Sequence, residues 1–259
     1  MKKIIKLELI ANNLSKAFIS GKLIKPIPTK YVKNIKIANQ IRILSEKKIK
    51  KPIIGFKAGG TSIPVLKKLN EKEPFYSSIF KNNFLKSGQK VKVNKYTLGV
   101  ELEVCYLIKK NFFKFKNKIT TKNIKKFIIS IAPCIEVVGY RQKKTGINYL
   151  GDLCSDFGAN VKFLIGSKKK YRNNKVSNLK AKIGNLKINH FVAGNTNTVF
   201  KNPLNSCAFV LNKLRKDKIM LKKNFFIFTG STVGVVPIVK KGTYQGNIEK
   251  IGSVEVKII

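Results

Sequence analysis

Residues 98 to 108 read Leu-Gly-Val-Glu-Leu-Glu-Val-Cys-Tyr-Leu-Ile, and no other stretch constrains the fold as tightly. The residues alternate in the period of a β-strand. Leu98, Val100, Leu102, Val104, Tyr106 and Ile108 form one wholly apolar face. Strand side chains repeat every two residues, so Glu101 and Glu103 stand side by side on the other face. Two adjacent carboxylates repel each other unless a cation lies between them. A solvated strand face is the ordinary explanation for such a pair. Yet a wet face drawn from this chain should carry lysine, because Lys and Arg number 54 against 12 Asp and Glu. The pair therefore reads as functional.

The formal charge of +42 would usually point to nucleic acid or an anionic surface. The type of base argues otherwise. Only Arg42, Arg141, Arg172 and Arg215 are arginine, and the other fifty cations are lysines spread along the whole chain. Proteins that read phosphates and bases favour arginine for its planar fork. Abundant Lys, Ile, Asn and Phe look like a compositional drift, as from an A+T-rich coding sequence. Nucleic acid is not expected as the primary partner. Cys105, Cys134, Cys154 and Cys207 make no C-x-x-C pair and read as reduced core cysteines of a cytoplasmic protein. No run of about 20 apolar residues suggests a membrane span. The Met-Lys-Lys start runs into Lys6, Glu8, Asn12 and Asn13, and so lacks a signal peptide's apolar stretch.

Leu7, Ile10, Leu14, Ala17 and Phe18 recur at helical spacing, with Gly21 as a stop. Pro26 and Pro28 mark a turn, and Ile37, Ala38, Ile41 and Leu44 predict a second helix. Residues 1–50 are thus expected to be a small helical cap, and 51–259 a mixed-β domain. Residues 52 to 62 read as a strand running into a glycine-rich turn. Residues 109 to 126 carry Phe112, Phe113 and Phe115 among lysines. They read as a nucleic-acid stacking strip or, more commonly, as a loop and helix burying the rings. Asn202-Pro203 opens a helix with an N-cap and a Pro at its first position. Residues 225 to 229 form a buried strand that ends in Gly230-Ser231-Thr232, and the basic stretch 168 to 175 is an exposed turn. A final strand sets Val254, Val256 and Ile258 against Glu255 and Lys257.

Glu136 is the only charge between Phe127 and Tyr140. A buried carboxylate must be protonated, paired or bound to a metal. It pairs with a lysine or Arg141, or it joins Glu101 and Glu103. Three carboxylates with no neighbouring histidine or thiolate pair suit a hard cation, Mg²⁺ or Mn²⁺. The sole histidine, His190, reads as a surface or core residue rather than a catalyst.

Glu101-x-Glu103, the later Cys-Ile-Glu136-Val-Val-Gly-Tyr-Arg141 and the earlier Gly55-Phe-Lys57-Ala-Gly resemble the fumarylacetoacetate hydrolase superfamily. The branch they resemble is the 2-keto-4-pentenoate hydratase and 4-oxalocrotonate decarboxylase group. Phe18-Ile-Ser-Gly-Lys-Leu-Ile-Lys-Pro, Ser155-Asp156-Phe-Gly-Ala-Asn160, Asn202-Pro-Leu, Phe228-Thr-Gly-Ser231 and Ile251-Gly-Ser-Val254 extend the likeness over most of the chain. It implies an α+β fold, a mixed β-roll with a small helical N-terminal region. It also implies that Glu101, Glu103 and Glu136 ligate the metal, and that Lys57 faces the substrate carboxylate or transfers a proton. Ser231, Thr232 and Asp156 would contact the substrate.

The activity so implied is addition of water to a 2-hydroxydienoate or 2-oxoalkenoate by a homo-oligomeric enzyme. Decarboxylation of a 2-oxo acid through the same enolate is the alternative. A basic polyanion-binding protein that keeps the fold without catalysis is a third. The C–C hydrolase branch normally places a histidine upstream of the metal pair, and this chain has none there. Phe75 stands where an acid is typical, Ala159 where a serine is, and Gly139-Tyr140 where Asp-Ser is usual.

Overall fold

The computed structural model describes residues 2–173 and 175–259. Helices Lys2–Ser20 (α1), Thr29–Val32 (α2) and Ile35–Lys48 (α3) open the chain. The two expected helices are α1 and α3, and a single extra turn, α2, follows the proline pair. Asn34 caps α3, its side chain accepting from the N–H groups of Lys36 and Ile37. Next come Ile53–Gly59 (β1), Ile63–Lys68 (α4), Phe75–Phe80 (β2), Phe84–Lys86 (β3), Lys90–Val91 (β4), Thr97–Ile108 (β5) and Ile128–Gly139 (β6). Leu150–Ser155 (α5) leads into Asn160–Ile165 (β7), Lys169–Lys170 (β8), Lys180–Asn185 (β9) and His190–Asn195 (β10). Pro203–Lys216 (α6), Phe225–Ser231 (β11), Gly242–Ile248 (β12) and Gly252–Ile258 (β13) complete the chain.

One sheet runs β2-β1-β11-β5-β6-β7-β3, with β8 beside β6, and the second runs β10-β9-β12-β13-β4. The alternation in β5 decides how they meet. Its even residues, Val100 to Ile108, enter the main core with the α6 stripe of Leu204, Cys207, Leu211 and Leu214. Val254, Val256 and Ile258 reach the same core from β13. The odd face of β5 is not wet, since Glu103 and Cys105 are buried.

The reason is curvature. Phe84 on β3 and Phe226 on β11 lie four strands apart in the sheet order, about 19 Å on a flat sheet at roughly 4.8 Å per strand. Their rings nevertheless stack with centroids 4.9 Å apart. The first sheet therefore rolls up, and the odd face of β5 lines its hollow side.

The N-terminal helices close against this roll through a second core, in which Leu7, Leu14, Ile27 and Ile41 meet Phe80 and Phe157. A buried polar clasp fixes the contact. The Arg42 guanidinium bonds Glu46 at 2.7 Å and lies over the Tyr76 ring, while Glu46 accepts from the N–H and hydroxyl of Ser78. Ile27 N–H donates to Gln142 Oε1 at 2.7 Å, tying the same region to the loop after β6.

Residues 109 to 126 form loops and a 3₁₀ turn at Lys110–Lys114, with a second turn at Ile124–Phe127 and no α-helix. Phe112 is fully buried and Phe113 and Phe115 pack beside it, so the rings serve the core. In the stretch 168 to 175, Lys169 and Lys170 are exposed and pair with β6, whereas Tyr171 is buried; residue 174 lies outside the described residues. All four cysteines are buried and free, and His190 is exposed. Among the described residues no helix is long and apolar enough to cross a membrane.

Gly151 on α5 is where cap and roll touch backbone to backbone. A Cβ there would lie 2.0 Å from the Val32 carbonyl oxygen. Gly151→Ala should force the two apart and cost about 1–3 kcal/mol. Thermal melting checks this, and an unchanged midpoint would show that the cap does not dock as described.

Candidate metal centre

Glu101 on β5 and Glu136 on β6 are direct cross-strand partners, and Glu103 sits two residues along β5 on the same face. One carboxylate oxygen from each lies within 4.8 Å of the others. Glu101 is half-buried, and Glu103 and Glu136 are fully buried. Lys57 reaches this group from β1, its ammonium 2.6 Å from Glu136 Oε1 and 3.1 Å from the Gly158 carbonyl.

Two irregularities in the backbone complete the geometry. On β11 the register against β5 slips between Phe228 and Ser231, so the strand carries one extra residue there. The bulge falls at Gly230, with φ +105°, and turns its N–H to Glu103 Oε2 at 2.8 Å. A side chain at this position would collide with Thr61. The second irregularity is Phe157-Gly158-Ala159, three successive residues with φ between 54° and 72°. Each non-glycine residue held there costs about 1–2 kcal/mol. The bend aims the Gly158 carbonyl at Lys57, and a Cβ on Gly158 would meet Ser77 Oγ at 2.6 Å.

Burial dominates the electrostatics. It pushes Glu136 up to about 7, against the pull of Lys57. It raises Glu101, and it raises Glu103 far more, with Glu136 adding to the effect. Lys57 loses hydration as well, but Glu136, Glu101 and Glu103 together outweigh that loss and raise it. Among the described residues, Glu103 Oε1 and Glu136 Oε2 are buried without a hydrogen-bond partner. Such orphans cost about 1–3 kcal/mol each, and more when charged. One ammonium cannot balance three carboxylates, and the donors are all oxygens. The Cys134 thiol, on the neighbouring strand, donates instead to the Glu103 carbonyl at 3.3 Å. The residues fit a hard divalent cation.

The group opens onto a cavity of about 420 Å³ that exposes Lys57 and Glu101. Ser231 and Thr232 line it too. The Ser231 hydroxyl donates to the Gly234 carbonyl at 2.8 Å and the Thr232 hydroxyl to the Leu102 carbonyl at 2.8 Å, so neither hydroxyl proton is free. The expectation for Asp156 is corrected. It does not line the cavity, and its carboxylate is taken by the Arg141 N–H and guanidinium and by Gln142 Nε2 at 2.8, 3.2 and 2.9 Å. Asp156 holds the loop after β6, and Arg141 in turn stacks on Phe18 and Phe157. Sequence reasoning missed Gly158 and Gly230 as site residues; a glycine inside a strand pattern, as at Gly230, is the signal that could have found one of them. Clefts of about 640 and 740 Å³ elsewhere are not lined by Lys57 or the three glutamates.

These shifts set a pH dependence. A carboxyl whose folded value exceeds its unfolded one stabilises the fold fully below the unfolded value and loses that contribution as pH rises through the folded one. For Glu136 the window runs from 4.5 to about 7. Metal-free protein should therefore melt lower at pH 7.5 than at pH 5, and added Mg²⁺ should restore more at the higher pH. Glu103→Gln should raise the metal-free melting temperature and abolish the Mg²⁺ effect. Melting curves at both pH values, with and without Mg²⁺, test both statements.

No family model matches the sequence, and no curated protein matches it. Solved structures do. The chain superposes on 4-oxalocrotonate decarboxylase from Pseudomonas putida G7, complexed with magnesium and adipate, with a TM-score of 0.85 at 17% identity over 98% of this chain and 97% of that one. A Yersinia pestis CO92 protein assigned to the fumarylacetoacetate hydrolase family matches with 0.55 at 13% identity, over 82% and 95%. A 5-carboxymethyl-2-hydroxymuconate delta-isomerase from Mycobacterium smegmatis matches with 0.54 at 12% identity, over 81% and 80%. The resemblance read from the sequence is met at the level of the fold: this chain has the mixed α+β roll of the fumarylacetoacetate hydrolase superfamily, in the form that 4-oxalocrotonate decarboxylase takes.

Proposed function

We propose that this chain is a lyase that holds Mg²⁺ or Mn²⁺ on Glu101, Glu103 and Glu136 and adds water to a 2-hydroxydienoic or 2-oxoalkenoic acid. The observation that carries the reading is the buried carboxylate trio with two orphaned oxygens at a cavity that also presents Lys57. The structural neighbour complexed with magnesium supports the choice of cation. When bound, the cation supplies a Lewis acid for the substrate's carboxylate and adjacent oxygen.

The chain's own residues supply the rest. Lys57 Nζ, held as an ammonium by three glutamates, can orient the substrate carboxylate or deliver a proton to substrate carbon. Gly158 and Glu136 fix that nitrogen in place. Gly230 N–H holds Glu103 in orientation. Ser231 and Thr232 give the cavity a polar wall beside these groups. In this reading residues 1–50 are a cap and 51–259 carry the chemistry, in a cytoplasmic homo-oligomer.

Decarboxylation of a 2-oxo acid on the same scaffold is the second reading, favoured by the TM-score of 0.85 to 4-oxalocrotonate decarboxylase. A basic polyanion-binding protein would have no use for a carboxylate trio buried with two oxygens unpartnered.

Two measurements test the proposal. Calorimetry should show one Mg²⁺ or Mn²⁺ per chain, lost in Glu101→Gln. Reaction of 2-hydroxypenta-2,4-dienoate in H₂¹⁸O should place label in the product's C4 hydroxyl, and Lys57→Met should slow it about 10²-fold or more. CO₂ released from a 2-oxo diacid with no C4 hydroxyl formed would select decarboxylation instead. Salt-sensitive RNA binding with no cation binding would overturn both.

A further inference from the structure

The cavity's distal wall says what the far end of the substrate is. Beyond Lys57 and Glu101 it is built from Phe75, Leu153, Val233, Val65, Ile147 and Val235. The last three are part-exposed, at 43%, 37% and 37%, and line the same cavity. In a chain of +42 charge, no Lys or Arg other than Lys57 lines this cavity among the described residues. Lys57 is already bonded to Glu136 and the Gly158 carbonyl. A cavity wall that is largely apolar and free of further cations, in so basic a chain, suits an apolar group. The Phe75 ring packs against Gly59 and Gly158, so that a Cβ on either would touch it.

We infer that the site takes a 2-oxo or 2-hydroxydienoic acid with one carboxylate and an uncharged, apolar tail, and rejects diacids. This inference rests on the proposed function and narrows it. The head carboxylate is matched by the cation site and Lys57. A second carboxylate drawn in beside Phe75, Leu153 and Val233 would lose hydration with no cation on the cavity wall to receive it. Hydroxyls of Thr61 and Ser62 can solvate polar atoms but cannot neutralise that charge. At about 30 Å³ per small group, 420 Å³ holds on the order of a dozen heavy atoms. That is the size of an eight-carbon 2-oxo acid and well beyond a five-carbon one. The large positive charge attracts every anion at long range, so the discrimination is local.

The test uses the Mg²⁺-loaded full chain in calorimetric titrations at about 0.15 M salt, where long-range attraction is screened. The probes are oxalate, 2-oxohexanoate, 2-oxooctanoate and 2-oxooctanedioate. Oxalate reports the head site alone and should bind. Each buried methylene tightens binding roughly fourfold, so 2-oxooctanoate should bind about tenfold or more tighter than 2-oxohexanoate. The diacid should bind at least about tenfold more weakly than 2-oxooctanoate. Val65→Lys, a change on an exposed helix position, should shrink or reverse that gap while leaving oxalate unchanged. Equal or tighter diacid binding in the wild type, no gain with chain length, or an unmoved gap in Val65→Lys would each overturn the inference while leaving the proposed lyase standing. Failure of oxalate to bind would remove the head site, and both readings with it.

Discussion

Burying three carboxylates against one lysine is the interaction on which the rest of this structure depends. Each group taken alone would lose several kcal/mol of hydration on entering the roll. The fold accepts the loss because the cross-strand pairing of Glu101 with Glu136 and the bulge that directs Gly230 N–H to Glu103 make every orientation specific. What the described residues do not supply is a partner for Glu103 Oε1 and Glu136 Oε2. A cluster that over-determines its geometry yet under-supplies its charge is organised around something positive from outside.

Curvature turns that local arrangement into a site. On a flat sheet the odd face of β5 would lie against solvent or a helix, and Lys57 would stand three strands from Glu136. Rolling the sheet brings the two within 2.6 Å and moves the solvent-facing side to the outside. The apolar even face, meanwhile, is shared with α6 and the second sheet, so one strand supports the main core with one face and the chemistry with the other. The positive-φ run at Phe157–Ala159 adds the last constraint, since it presents the Gly158 carbonyl to Lys57 at a cost that the surrounding Phe18, Phe157 and Arg141 stack helps to offset.

Much of this was legible before folding. Period-two alternation marked β5, and the lone charge in an apolar run marked Glu136. Asn202 and the α6 stripe followed from capping and spacing, and α6 begins where they indicate. Hydroxyl contacts were harder. Ser231 and Thr232 do reach the cavity, but strand-end geometry commits their protons to backbone carbonyls, which residue type alone does not reveal. Asp156 is a substrate contact only by the family resemblance of its segment, and its side chain is committed elsewhere. Its partners, Arg141 and Gln142, lie 15 and 14 residues earlier in sequence and meet it only once β6 and α5 are placed. Gly158 carries its function in a carbonyl that no side-chain reading can see.

The scarcity of acid sharpens the same argument. Of the 12 acidic residues, Glu46, Glu101, Glu103, Glu136, Asp152, Asp156 and Asp217 are each committed to a specific partner or to the trio. Replacing an exposed acid by lysine costs little, because solvent screens both. Replacing one of these seven would leave Arg42, Arg141, Lys144 or Lys57 facing a like charge, or would unpair the Tyr76 hydroxyl. In a chain whose surface has shifted so far toward lysine, the acids that remain therefore trace its structural and chemical constraints. The cavity shows the converse. Val65, Ile147 and Val235 keep apolar side chains on its wall although each is part-exposed. The acids mark where charge is needed, and that wall marks where the substrate inferred above would have to do without it.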